Sequence, residues 1–454
     1  MFIKKSKSDF KIKKLDKCYF SRSHNLKGCV KVPGDKSISQ RALIISLIST
    51  GKTIIEDILD SEDVYYTMKA VTQLGAVLQV KQNFIEVKGV GLGNLVTPKK
   101  PIFMGNSGTG IRLLLGLVAG SNTMVTFYGD SSLTERPMDR IISPLEEMGA
   151  TILCNDDKKL PITIAGARVK GFTLPINYKL TIPSAQIKSS VLLAALTARG
   201  TSFITEYKKS RNYTEKMLSE RGVILKNKKF NKDKNILSIK GASLVRSKDI
   251  KVPGDPSSAA FLAVAALITK KSFITIENVL YDKFRLQIFN ILKKMGAFIN
   301  ISRVFDNRCK IIVKSSKLKN ITVESKSSSA LIDEYPILAI AASVGEGKMI
   351  MKGLGELRYK ESDRFKAIVE GLNKCGGDVK SFKDDIHIKG KKSIMGGCVL
   401  DVHHDHRIAM SFNILSLISE KPILIKGNES ILTSFPGFFK TLDKLGAVPL
   451  FHGK

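Results

Sequence analysis

Tryptophan is missing from this 454-residue chain, and cysteine is sparse. The six Cys are scattered, with no C-x-x-C pair. That argues for a reducing cytoplasm and against a disulfide framework or a zinc knuckle. Long apolar runs are lacking too: the longest, Ala259 to Ile268, is too short to span a bilayer. The Lys-rich N-terminus has no apolar signal core, which argues against secretion. Acidic residues are the other shortage. Only 41 Asp and Glu face 73 Lys and Arg, a net charge of +32. Such a balance invites a nucleic-acid reading. Against it, the lysines are spread over surface-like segments such as Lys226 to Lys234, and no aromatic platform interleaves with them. A genome-wide lysine bias explains the charge as simply.

What is present is internal repetition. Pro33-Gly34-Asp35-Lys36-Ser37 and Pro253-Gly254-Asp255-Pro256-Ser257 stand 220 residues apart, each before an apolar run. Both read as a turn feeding a helix N-terminus. Only the first copy carries cations, Lys36 and Arg41. A helix-like stretch closed by Gly and followed by an apolar run recurs at Gly75, Gly149, Gly222, Gly296, Gly376 and Gly446. Gly there fits a helix end in the left-handed conformation, with a strand next. The Pro-Gly-Asp copies divide the six beats three and three. The chain is too long for one core. It reads as two domains, residues 1–34 with 253–454, an N-terminal strand pairing back onto the C-terminal half, and residues 35–252, with a ligand cleft between them.

Arginines and lysines recur in small, polar, Gly-flanked contexts. Gly105-Asn106-Ser107-Gly108-Thr109-Gly110-Ile111-Arg112 places small residues before a helix, where backbone N–H groups can approach a phosphate. It is not a Walker loop, since Ile111-Arg112 stands where Lys-Ser/Thr is required. Further contexts surround Arg136, Ser184 to Lys188, Arg211, Asp333, Lys360 to Arg364 and Arg407. Each alone reads equally as a surface ion pair or a cap. Guanidinium gives two-pronged contacts to carboxylate or phosphate that ammonium cannot match, so the set points to polyanionic ligands.

The ordered motifs PGDKS-x-x-x-R, GNSGTGIR, ERPM, PSAQ-x-KS, R-x-x-TEKM, IDEYP, KESDR and DHRIAM resemble the EPSP synthase (3-phosphoshikimate 1-carboxyvinyltransferase) family, in wording closest to its class II branch. The resemblance runs from about Asn25 to Phe451. It implies an α/β fold: a two-domain inverse α/β barrel with three βαβαββ units per domain. The implied reaction moves the enolpyruvyl group of phosphoenolpyruvate to the 5-hydroxyl of shikimate 3-phosphate and releases phosphate, in the shikimate pathway to aromatic amino acids. It uses no metal and no organic cofactor. By motif position Lys36, Ser37, Arg41, Ser184, Ala185, Gln186, Arg211, Asp333 and Lys360 would hold shikimate 3-phosphate. Lys36, Gly108, Arg136, Gln186, Arg364 and Arg407 would hold phosphoenolpyruvate. Asp333 would take the hydroxyl proton, Glu361 would handle protonation of the methylene carbon, and Lys36 would bridge both substrates. A cytoplasmic monomer with small-molecule substrates, and no nucleic-acid or membrane partner, completes the expectation.

The chain departs from the family pattern at Leu432-Thr433-Ser434-Phe435-Pro436, where a Lys contacting phosphoenolpyruvate often stands and none is present. Ala185 replaces a Ser common in the other branch. Some class II members carry Ala at the Gly108 position, whose methyl narrows the pocket against glyphosate; with Gly108 the expectation is ordinary sensitivity. The sibling UDP-N-acetylglucosamine enolpyruvyl transferase uses a loop Cys. Between Tyr128 and Arg140 there is none, and Cys154 reads as a strand residue. His403-His404-Asp405-His406 suggests a metal, but Arg407 beside it adds repulsion. A non-enzymatic RNA-binding protein is the alternative of a different class. Residues 1 to 24 hold eight Lys or Arg and read as a tail or a targeting remnant.

Overall fold

The structure is a computed structural model that describes residues 18–230 and 234–451. The basic residues before Cys18, and 231–233 within the Lys226–Lys234 stretch, lie outside the described residues. The chain forms two compact units: the chain up to Asp35 together with Pro253 onward, and Lys36–Val252.

One repeat explains both units. A buried helix leads to a strand, then an amphipathic helix, a Gly turn and a β-hairpin. The six first helices are Lys36–Leu47, Gly108–Ala119, Ala185–Ala195, Pro256–Ile268, Tyr335–Ser343 and His406–Ser416. They are buried nearly all round; in Pro256–Ile268 every residue from Pro256 to Leu267 is buried. Each Leu, Ile or Phe so enclosed contributes roughly 1.5–3 kcal/mol. The second helices show one apolar stripe, as in Glu62–Gln73, which buries Val64, Ala70 and Val71. All six repeat glycines follow these second helices, with φ between 85° and 112°. A side chain there would press on the preceding carbonyl, so Gly ends each helix and turns the chain into the hairpin.

The sheets repeat as well. In Lys36–Val252 the three have four strands each, the outermost parallel to its neighbour and the other pairings antiparallel. The other unit has two such sheets. Its sixth repeat differs. Val399–Asp401 runs parallel to Leu424–Lys426, but the last strand, Pro449–Phe451, takes its antiparallel partner from the chain start, Cys18–Phe20. Six local repeats would each end in their own hairpin; here a strand some 400 residues away in sequence supplies the second arm. Cys154 is not a strand residue: it follows the strand Thr151–Leu153 by one position.

The Pro-Gly-Asp copies lie side by side in the discontinuous unit. Asp35 N–H donates to Pro253 O at 2.8 Å, and Asp255 N–H donates to Pro33 O at 2.9 Å. The chain leaves this unit after Asp35 and returns at Pro253.

Candidate active site

In the Lys36–Val252 unit three buried helices begin side by side. Their first turns bond to one another. Gln40 Nε2 donates to Ser107 Oγ at 2.6 Å, Gln186 Nε2 to Thr109 Oγ1 at 2.9 Å, and Arg41 Nη2 to Ser189 Oγ at 3.2 Å. Ser107 and Ser184 cap the second and third helices by accepting from Gly110 N and Ile187 N. Clustered helix starts concentrate the positive ends of their dipoles, which suits an anion.

Side chains add full charges. Lys36 opens its helix, and its Nζ lies 2.9 Å from Asp63 Oδ2. Arg41, 3% exposed, donates from Nε to Thr214 Oγ1 at 2.9 Å and from Nη1 to Ser37 O at 3.0 Å. Arg112 reaches Gln186 Oε1 at 3.2 Å and Gly108 O at 3.3 Å. Arg136 bonds closely to Asn106 Oδ1 and reaches Ser132 Oγ at 3.2 Å. Asn106 is itself fixed by Asp130 at 2.9 Å. A methyl on Gly108 would lie 2.7 Å from Arg136 Nη1 and 2.9 Å from Arg112 Nη1, so Gly there lets both guanidiniums approach the helix start. Ser37, Ala185 and Arg211 are half-buried. Arg211 stands two residues before the Tyr213–Ser219 helix. Buried Lys188 ties both flanks of that segment, at 2.9 Å from Glu206 and 2.7 Å from Glu215.

In the discontinuous unit the charges are arranged differently. Arg364, fully buried, begins the Arg364–Lys374 helix. Its Nε donates to Asp405 Oδ2 at 2.8 Å, its Nη1 to Asp333 Oδ1 at 3.4 Å, and its Nη2 closely to Glu361. Burial alone would push its pKa down; the charge of Asp405, then of Glu361 and Asp333, outweighs this and holds it above the ordinary arginine value. Asp405 caps the His406–Ser416 helix through Arg407 N at 2.9 Å and Ile408 N at 3.3 Å. Arg407 Nη1 donates to Asp333 O at 2.9 Å, and its Nε lies 3.8 Å from Asp333 Oδ1. Lys360 has its pKa lowered, first by burial, with the Arg364 charge adding to it against the pull of Asp333 and Glu361. In the Leu432–Pro436 stretch, where the resemblance leads one to look for Lys, Thr433 Oγ1 lies 3.3 Å from His406 Nδ1.

Within each unit, then, the expected residues gather. Lys36, Ser37, Arg41, Gly108, Arg136, Ser184, Ala185 and Gln186 belong to one set of helix starts and the loops beside them. Asp333, Lys360, Glu361, Arg364 and Arg407 form the other group. Sequence reading missed Asp63, Arg112 as a bridge to Gln186, the Lys188 triad and Arg285. The first two carried a signal, an acid in a helix's first turn and the Arg of a motif. Arg285 carried none.

The family model for EPSP synthase (3-phosphoshikimate 1-carboxyvinyltransferase) matches residues 21–442. A 3-phosphoshikimate 1-carboxyvinyltransferase of Chelativorans sp. (strain BNC1) is 42% identical over 433 residues, covering 94% of this chain and 96% of that relative. The protein of that name from Bartonella quintana (strain Toulouse) is 42% identical over 431 residues, 94% of this chain and 97% of its own. Among solved structures, EPSP synthase from Acinetobacter baumannii superposes with a TM-score of 0.81 at 36% identity, over 95% of this chain and 98% of that one. The enolpyruvyl transferase NikO from Streptomyces tendae aligns at 0.75 with 14% identity over 95% and 98%, a likeness of fold alone.

Proposed function

This chain belongs to the EPSP synthase family, and from that premise we propose how its residues carry out the family reaction. The protein is a transferase of the shikimate pathway with the two-domain inverse α/β barrel fold. It joins the enolpyruvyl group of phosphoenolpyruvate to the 5-hydroxyl of shikimate 3-phosphate and releases phosphate. Lys36, Ser37, Arg41, Ser184, Ala185, Gln186, Arg211, Asp333 and Lys360 hold shikimate 3-phosphate. Lys36, Gly108, Arg136, Gln186, Arg364 and Arg407 hold phosphoenolpyruvate.

Asp333 takes the 5-hydroxyl proton as that oxygen bonds to C2 of phosphoenolpyruvate, while the methylene carbon gains a proton through Glu361 beside Lys360. The tetrahedral adduct then loses phosphate, and the methyl group returns a proton as the double bond re-forms. A base clasped by arginines works by position more than by basicity. The positive charge that develops at C2 is stabilised by neighbouring carboxylate. Lys360, with a pKa already lowered by burial, gives up its proton more readily than a surface lysine.

The observation that carries this reading is Asp333 set between two arginines, Arg364 on its carboxylate and Arg407 on its carbonyl, with Glu361 on the same Arg364 guanidinium. Phosphate release by the purified protein tests it. Release is expected with both substrates together and absent when either is omitted; release from phosphoenolpyruvate alone would contradict it. We place the enzyme in the cytoplasm as a monomer, which light scattering on a sizing column checks.

A further inference from the structure

Arg285 lies outside every motif, yet it is 2% exposed and clasps both Pro-Gly-Asp aspartates. Its Nη1 donates to Asp35 Oδ2 at 2.8 Å; its Nη2 donates to Asp255 Oδ1 at 2.7 Å and to Ser257 Oγ at 2.9 Å. Ser257 Oγ bonds closely to Glu334 Oε1. Arginine can only donate, so the serine accepts from it and its single hydroxyl hydrogen points to Glu334. The direction of the relay is fixed: Arg285 to Ser257 to Glu334. Glu334, 1% exposed, is the residue after Asp333 and directly precedes the Tyr335–Ser343 helix. Asp333 is therefore held from two sides. Arg364 and Arg407 grip its carboxylate and carbonyl, and the relay anchors the next residue of its backbone.

We infer that Arg285 and Ser257 are positioning residues for the Asp333 base, acting through Glu334. The inference rests on the reading of Asp333 as that base. The duplicated Pro-Gly-Asp turn thereby acquires a use. Its two aspartates fix the guanidinium, and the same Nη2 that meets Asp255 also donates to the hydroxyl. A base that works by position is sensitive to sub-ångström drift, so losing the relay lowers turnover more than binding.

The test is steady-state kinetics on Ser257→Ala and Ser257→Thr, each with its melting temperature. Ser257→Ala is expected to lower kcat about 10-fold or more while KM for shikimate 3-phosphate moves less than about threefold. Ser257→Thr keeps the hydroxyl and is expected to recover most of kcat. A Ser257→Ala enzyme with kcat within about twofold of the parent overturns the inference. So does a threonine variant as slow as the alanine one at equal melting temperature. If Ser257→Ala does not fold, Glu334→Gln, whose amide oxygen still accepts the hydroxyl, must outpace Glu334→Ala by about 10-fold, and equal rates refute the relay. Asp333→Asn separates the two layers. If it turns over normally, the reading of the base has failed; if it is inactive while Ser257→Ala is normal, only the positioning role has failed.

Discussion

The two units hold their arginines in contrasting ways. In Lys36–Val252, Arg41, Arg112 and Arg136 donate to hydroxyls, amides and carbonyls of Thr214, Ser189, Gln186, Asn106 and Ser132. These contacts are with neutral groups, which orient the guanidinium. In the discontinuous unit Arg364 meets Asp405, Glu361 and Asp333, and Arg285 meets Asp35 and Asp255. There the arginines serve carboxylates. The difference separates two tasks. Neutral partners suit a guanidinium whose task is to bind an anion, whereas carboxylate partners fix the acids and bases of proton transfer beside arginines, Arg364 and Arg407, that in our reading also meet phosphoenolpyruvate. Breaking a buried pair in the second unit leaves an uncompensated charge worth about 3–5 kcal/mol. The neutral contacts of the first are worth about 0.5–1.5 kcal/mol each.

This contrast sets the order of expected effects. Asp333→Asn, with the base gone and the shape kept, should lower kcat by about 10²–10⁴, measured by phosphate release. Arg41→Met should act on the other parameter. Loss of charged hydrogen bonds worth roughly 1.5–3 kcal/mol each predicts KM for shikimate 3-phosphate about 10–100-fold higher, with a smaller change in kcat. If both variants changed the same parameter, the division of labour would collapse.

Smaller effects sharpen the comparison. Gly108→Ala pushes a methyl against Arg136 and Arg112, so KM for phosphoenolpyruvate should rise about 3–10-fold. Inhibition by glyphosate should weaken more, and an enzyme no less inhibited than the parent would refute the steric argument. Lys360 titrates below the ordinary lysine range, so its charge is present at low pH and lost early as pH rises. Lys360→Arg should move the alkaline limb of kcat/KM to higher pH. The smallest effect concerns Asp255, whose carboxyl is pushed up first by burial and then by Asp35. A raised acid binds its proton more tightly in the folded chain. Its contribution is therefore fullest below the ordinary Asp range and is lost as pH rises through the raised value. Asp255→Asn should flatten the fall in Tm toward neutral pH, read by calorimetry, beside the pH-independent loss from breaking its pair with Arg285.

Much of this was legible in the sequence because it is local. A Gly ending each amphipathic stretch, a Ser before the second and third buried helices and a Pro-Gly-Asp turn all act within a few residues. Those positions were found, and all six glycines lie in the left-handed region. The motif residues were found by resemblance, which names positions without contacts. What escaped depends on distance along the chain. Arg285 meets Asp35 across 250 residues, and Lys36 meets Asp63 across 27. A strand from the chain start joining the C-terminal half is expected from the sequence, but not that its partner is the last strand, Pro449–Phe451. No periodicity announces a partner of that kind; only the fold does.

Calorimetric titration of shikimate 3-phosphate alone into Arg41→Met and Glu361→Gln puts the charge contrast to its most direct test. Kd should rise about 10-fold or more in the first and stay within about threefold of the parent in the second. Equal weakening in both, or a greater loss for Glu361→Gln, would contradict that contrast.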